Sequence, residues 1–452
     1  MPRRNAVVPA AQPPSASGKP AYPAKRPVLE FPIWHLFENE PPDSHGENVP
    51  ECQHFMAAYF DAPKKSDFLA QMQTPEGVYQ AMGGRVAALN ARFDQIINGL
   101  NDHTARVVDE DRFGRLLEHV SREMFNGNAA AELNGALLGE IHSIAVHLKL
   151  KADDKGPYLD ISVYDYLKKT NHVRQKKVRN PAELRGLGMA DFVPEWAYGF
   201  NADSRKNVSC VMGFPGQNVS LPPAADLLCP DLNKEQLRFG IEHALEFNLT
   251  LAMDCLGRRM HATVLRGEKA LALVQPVLDG EVILHAMRRG SSQALMEFGQ
   301  LLAYCRIPGI HLVQAMAKKS ADGQPWLHAA ARYAFGRPTP NVIDVVGQLC
   351  EQLNVQEGPV LQLFEALDSQ GNSAITHPMA QGDAATVQSF ADACLRQSFS
   401  GPVMIRLLVS LFSPGLAAAR QNGHGAVLDV VRQTLAAAGA HPNDIQAFLA
   451  NP

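Results

Sequence analysis

The chain has 452 residues, 46% hydrophobic and 19% charged, with a formal net charge of -4. That length exceeds one ordinary hydrophobic core and points to two or three domains. An isoelectric point near 6.5 leaves no basic footprint for nucleic acid, and with no run approaching 18 apolar residues, no membrane span is expected.

Residues 1–25 pair Arg3 and Arg4 with an Ala, Pro and Ser-rich stretch. They lack the continuous apolar segment of a Sec signal peptide and are expected to be disordered, as an ordinary terminus or a type III secretion signal would be. Residues 26–50 read as irregular structure, and a short helix is expected from Pro50 through Cys52 to Phe60. Residues 77–138 carry helical apolar spacing, with breaks near Gly99 and Gly127. Two alternating runs follow, Ile141–Leu150 and Tyr158–Asp165, joined by the turn-like Ala152–Gly156; they predict a β-hairpin. Further strands and loops are expected over 180–235, ending in a linker around Pro222 and Pro223.

From about residue 236 the sequence turns to Ala and Leu-rich helices with a loose recurrence. Leu284-His285-Ala286 precedes Gly290, Leu327-His328-Ala329 precedes Gly336, Thr376-His377 precedes Gly382, and Leu416-Ala417-Ala418 precedes Gly423. Short helix, glycine turn and second helix is the order that solenoids use; His285, His328 and His377 are then structural turn residues. The expected fold is α+β, with a domain at 26–235 and a helical repeat domain at 236–452.

Seven cysteines, an odd number without metal or disulfide spacing, fit a reduced environment. Cys255, Cys305, Cys350 and Cys394 read as core residues, and Cys210 and Cys229 as loop residues. Cys52 differs, because a thiol at a helix start lies near unpaired backbone N–H groups and the positive dipole end, which favour a thiolate. In the hairpin, a turn symmetric about 153 and 154 sets Val146 against Ile161, Ile144 against Val163 and His142 against Asp165. A directly opposed pair suits an imidazole–carboxylate hydrogen bond. His54, His147 and His172 are competing bases. The basic run Lys168, Lys169, Arg174, Lys176, Lys177 and Arg179 reads as a solvated face or a partner contact. No phosphate-loop, serine-elbow or zinc motif occurs, and no cofactor or metal is expected.

Glu51–Phe60, His142–Lys151, Ile161–Asp165 and Asn171–Arg174 resemble, in order and spacing, segments of the EspL and ShET enterotoxin family of type III secretion effectors. The resemblance implies a papain-like cysteine protease domain with Cys52, His142 and Asp165 as its triad, followed by ankyrin-like repeats. It further implies secretion into the host cytoplasm as a virulence factor and toxin, with host death and inflammation proteins carrying the RIP homotypic interaction motif as substrates and necroptosis inhibition as the outcome. A secretion chaperone is the partner expected at the N-terminus. Cys-His-Asp chemistry also serves deamidases and acyltransferases, and a non-catalytic ankyrin-repeat adaptor is the reading from a different class.

Overall fold

The computed structural model describes residues 49–72, 80–81, 85–139, 143–164, 173–192, 209–228, 234–263, 266–320, 323–334 and 342–450. The expected disordered segment at 1–25 lies outside them.

Three helices open the described chain: α1 (Val49–Asp61), α2 (Lys65–Gln71) and α3 (Val86–Asn98). They are followed by β1 (Ala105–Asp109), α4 (Phe113–Phe125), β2 (Glu132–Leu138), β3 (Ser143–Asp153), β4 (Gly156–Tyr164), β5 (Val173–Val178) and β6 (Ser209–Gly213). The six strands form one antiparallel sheet in the order β1-β6-β2-β3-β4-β5. Two strands fall where the sequence predicts helix. Glu132–Leu138 is rich in helix formers, but it lies between β6 and β3, and position inside a sheet outweighs intrinsic preference. Cys210, expected in a loop, is a buried residue of β6.

Alternation along the strands separates two cores. Ala136, Leu138, Ala145 and Val211 face the layer of α1 to α3, with Phe55, Tyr59, Leu89 and Phe93. Leu137, Ile144, Val146, Leu148, Ile161 and Val163 face α4, with Phe113, Leu116, Leu117 and Val120. The hairpin is present, but its register differs by two residues from the expectation: Val146 stands opposite Val163 and Leu148 opposite Ile161. The turn sits at Asp154 and Lys155. The Asp153 carboxylate fixes it there, accepting from Lys155 N at 3.0 Å and from Arg179 at 2.7 Å as well as from Lys177. Gly156 takes φ +98°, a conformation that glycine adopts without a Cβ penalty.

The helical part runs α5 (Ala224–Leu227), α6 (Lys234–Glu246), α7 (Thr250–Ala262), α8 (Glu268–Asp279), α9 (Val282–Arg289), α10 (Ser292–Tyr304), α11 (Ile310–Met316), α12 (Trp326–Ala334), α13 (Val342–Gln352), α14 (Glu357–Phe364), α15 (Thr376–Gln381), α16 (Ala384–Leu395), α17 (Gly401–Gln421), α18 (Gly425–Ala437) and α19 (Pro442–Ala450). Their contacts form three stacked rows: α6-α9-α12-α15-α17, α7-α10-α13-α16-α18, and the shorter α8-α11-α14. Each of the four recurrent sequence motifs begins within a helix of the first row. Gly290 and Gly382 close α9 and α15 in the left-handed conformation, as helix-ending glycines do. Bonds between successive units repeat along the stack: His328 Nε2 donates to Ala366 O at 2.8 Å, and Ser373 Oγ to Leu411 O at 2.7 Å. His328 therefore has the structural part expected of it. His377 is exposed, and His285 lies 3.9 Å from Glu281.

The α+β class is as expected. The expected boundary after residue 235 falls in the first turn of α6, which packs on β1 and β6, and one apolar cluster extends from Phe55 to Ile445. One helix departs from the reading of hydropathy. α17 carries an 18-residue window of mean hydropathy 1.6, long and apolar enough to cross a membrane by length and composition, with 44% of the window buried in the fold. Ser410, Ser413, Pro414 and Gly415 interrupt its apolar run in sequence, yet the helix continues through them; it packs on α15 and α18. The bent pair α8 and α9, at 62°, meets the same criterion only when taken as one span.

Candidate functional site

Helix α1 begins at Val49, so Cys52 is its fourth residue and lies within the first turn. Pro50 is tolerated there because first-turn N–H groups have no intrahelical acceptor. From His54 to Tyr59 every residue is buried, and α1 packs on α3 and across β3. The Cys52 side chain, His142 and Asp165 lie outside the described residues, as does His172.

Strand ends frame the expected partners. β3 begins one residue after His142 and β4 ends one residue before Asp165, with Ala145 opposite Tyr164. The observed register removes the argument for a directly opposed His142–Asp165 pair, because that argument required Val163 to face Ile144. The apolar row of Ile144, Val146 and Leu148 also packs on α4, on the opposite side of the sheet from α1.

Two competing histidines are described. His54 is buried in α1, with Nε2 2.5 Å from Asn90 Oδ1 of α3. His147 lies on the Ala145 side of β3, where its Nε2 is 2.9 Å from Glu132 Oε1; Glu132 also receives Lys149 at 2.6 Å. Alternation sets His147 off the apolar row of Ile144, Val146 and Leu148, yet it is buried, because that other face of the sheet carries α1. Burial pushes its pKa down, opposed by the Glu132 bond and charge. The Lys149 bond holds the Glu132 carboxyl below the usual range.

Burial likewise pushes His328 down, against the Ala366 carbonyl that raises it. Both imidazoles bind a proton more weakly folded than unfolded. Their contribution to stability is therefore complete above the unfolded pKa of about 6.5 and is lost as pH falls through that value toward the folded one. Urea midpoints are expected to fall between about pH 7 and pH 5. His328→Gln, which keeps an N–H for the Ala366 carbonyl and does not titrate, is expected to reduce the fall.

Sequence reasoning missed Lys65. Its ammonium donates to the carbonyls of Tyr59 at 2.5 Å, Phe60 at 3.1 Å and Ala62 at 2.9 Å, satisfying the C-terminal end of α1. Beside it, Ala58, Asp61, Lys64, Phe68, Gln71 and Arg85 line an open cleft of about 340 Å³. Cys52 lies six residues before Ala58, about 9 Å along the helix axis at 1.5 Å per residue, so this cleft is at the other end of α1. A second polar cluster is buried where sheet and helices meet. Ser209 donates its hydroxyl to Asp109, while His243 Nε2 lies 3.2 Å from the Ser209 carbonyl rather than its hydroxyl. That arrangement ties strands to α6 and does not activate a serine. Among the described residues no group of three or more His, Cys, Asp or Glu side chains is placed to hold a metal ion.

No protein-family model, curated protein or solved structure matches the chain.

Proposed function

We propose that the chain is a type III secreted cysteine protease acting on host cell-death and inflammatory signalling proteins. Residues 26–235 form its papain-like protease domain and 236–452 its ankyrin-like substrate-selecting domain. The observation that carries the reading is Cys52 in the first turn of a helix whose residues 54–59 are buried and which packs across β3, the strand that His142 immediately precedes. A thiol there gains from the helix dipole, which favours its ionised form. The order and spacing of the Cys52, His142 and Asp165 segments supply the rest. The pairing of His142 with Asp165 rests on that resemblance alone.

In this mechanism His142 takes the Cys52 thiol proton, and the thiolate adds to a peptide carbonyl. The tetrahedral intermediate collapses with breakage of the C–N bond as His142 returns the proton to the leaving amine. Water, deprotonated by His142, then hydrolyses the thioester and restores the thiol. Asp165 orients the imidazole and stabilises its protonated form.

The test is co-expression of wild-type and Cys52→Ser protein in human cells with adaptor kinases bearing the RIP homotypic interaction motif, followed by immunoblotting. Fragments are expected with wild type alone. Equal fragments from both would remove Cys52 as nucleophile. Fragments from neither, with binding retained by both, would favour the adaptor reading, which the stacked helical rows also suit.

A further inference from the structure

Beyond the packing of α6 on β1 and β6, the sheet and the helical rows are joined by a side chain from the turn between α3 and β1. Between α3 and β1, residues 99–104 form a tight turn. Thr104 Oγ1 donates to Gly99 O at 2.8 Å, and Asn101 Oδ1 accepts from His103 N at 2.8 Å. This turn projects Asp102 at the start of α7, where Leu249 supplies no side-chain cap. Asp102 Oδ2 accepts from Thr250 N at 3.0 Å and from the Thr250 hydroxyl, and Oδ1 accepts from Leu251 N at 3.1 Å. A carboxylate bonding two free N–H groups at a helix start is an N-cap; here it comes from 148 residues away in sequence.

The other side of the turn is held as firmly. Buried Arg106 donates to the backbone carbonyl of Asp102 and, through Nε, to Pro222 O at 2.8 Å, so the same few residues grip the linker between the halves. Arg259 of α7 donates to Ala225 O at 2.9 Å on that linker's short helix. The turn continues directly from α3, which packs on α1.

We infer that Asp102 is an N-cap supplied to α7 by a distant turn of the same chain, and that its joint makes the helical rows and the α1–α3 layer one cooperative unit. A partner that displaces the first helical unit then acts on the helix carrying Cys52 through this turn. The coupling is independent of the chemistry at Cys52, and its test uses no activity.

Wild-type full chain and Asp102→Ala would be compared by hydrogen–deuterium exchange over 250–256 and 86–98, and by calorimetry. Wild type is expected to unfold in one transition. Asp102→Ala is expected to raise exchange roughly tenfold in both segments, as loss of a cap does, with rescue in Asp102→Asn, which retains a capping oxygen. A rise confined to 250–256, no rise in either segment, or two transitions in the wild type would overturn the inference. If Asp102→Ala does not fold, Thr250→Val removes one of the bonds and is expected to give a smaller rise in the same two places; a rise at 250–256 alone would count against the joint.

Discussion

Brief alkylation of the folded protein at neutral pH is expected to label Cys52 at least about a hundredfold faster than any described cysteine, because only a thiolate reacts. Cys210, Cys305, Cys350 and Cys394 are buried. Burial raises all four thiols, Cys350 to about 12; a thiol of that pKa is ionised in roughly one molecule per 10⁵ at pH 7. Burial raises the half-buried Cys255 as well. Cys52 has the first turn of α1 to favour ionisation and, in the proposed mechanism, His142 to receive its proton. Peptide mapping after a short iodoacetamide pulse checks the order. His142→Ala is expected to slow Cys52 by about tenfold or more, through loss of its base. A first label at another described cysteine, or a Cys52 rate unchanged by His142→Ala, would remove the thiolate–imidazole pair on which the proposed chemistry depends.

Gly114→Ala is expected to cost about 3 kcal/mol or more, at the upper end of overpacking effects. Gly114 is in the first turn of α4, beneath the loop that follows β5. A Cβ there would lie 2.1 Å from Leu184 O and 2.4 Å from Leu187 O. Both are backbone atoms, and Gly114 N already donates to Leu187 O at 2.9 Å, so relief requires the loop to leave the helix that covers the hairpin's apolar face. Gly186→Ala, which lies between the two contacting residues and has nothing within 4 Å of its Cβ, is the control and is expected to change stability by less than about 0.5 kcal/mol. Urea unfolding of the two variants separates local crowding from a general intolerance of the loop.

The hairpin strands were readable because alternation is a local property: Leu148, Val146, Ile161 and Val163 repeat at every second position wherever the strand ends. Their register was not, because Asp153 fixes the turn through Lys177 and Arg179, 24 and 26 residues away. A shift of two preserves which residues face the core, so the expected apolar row was found with its cross-strand partners displaced. In the helical part, Gly290 and Gly382 were readable as helix ends because a left-handed residue leaves a local signature. The strand at Glu132–Leu138 was not, since its conformation comes from β6 and β3 rather than from its own residues.

The first-turn position of Cys52 was legible from Pro50 and the apolar residues that follow, and the sequence by itself determined that helix, the two hairpin strands and the recurrence of short helices after residue 236. Tertiary structure decided which sheet face meets α1, how β3 and β4 align, that His147 is buried against Glu132, and that Asp102 caps α7. The first set follows from spacing within a few residues, where backbone geometry imposes periods of 2 and 3.6. The second depends on groups brought together across 15 residues for Glu132 and His147 and 148 for Asp102 and Thr250, and a hydrogen bond at that separation exists only once the intervening chain has packed.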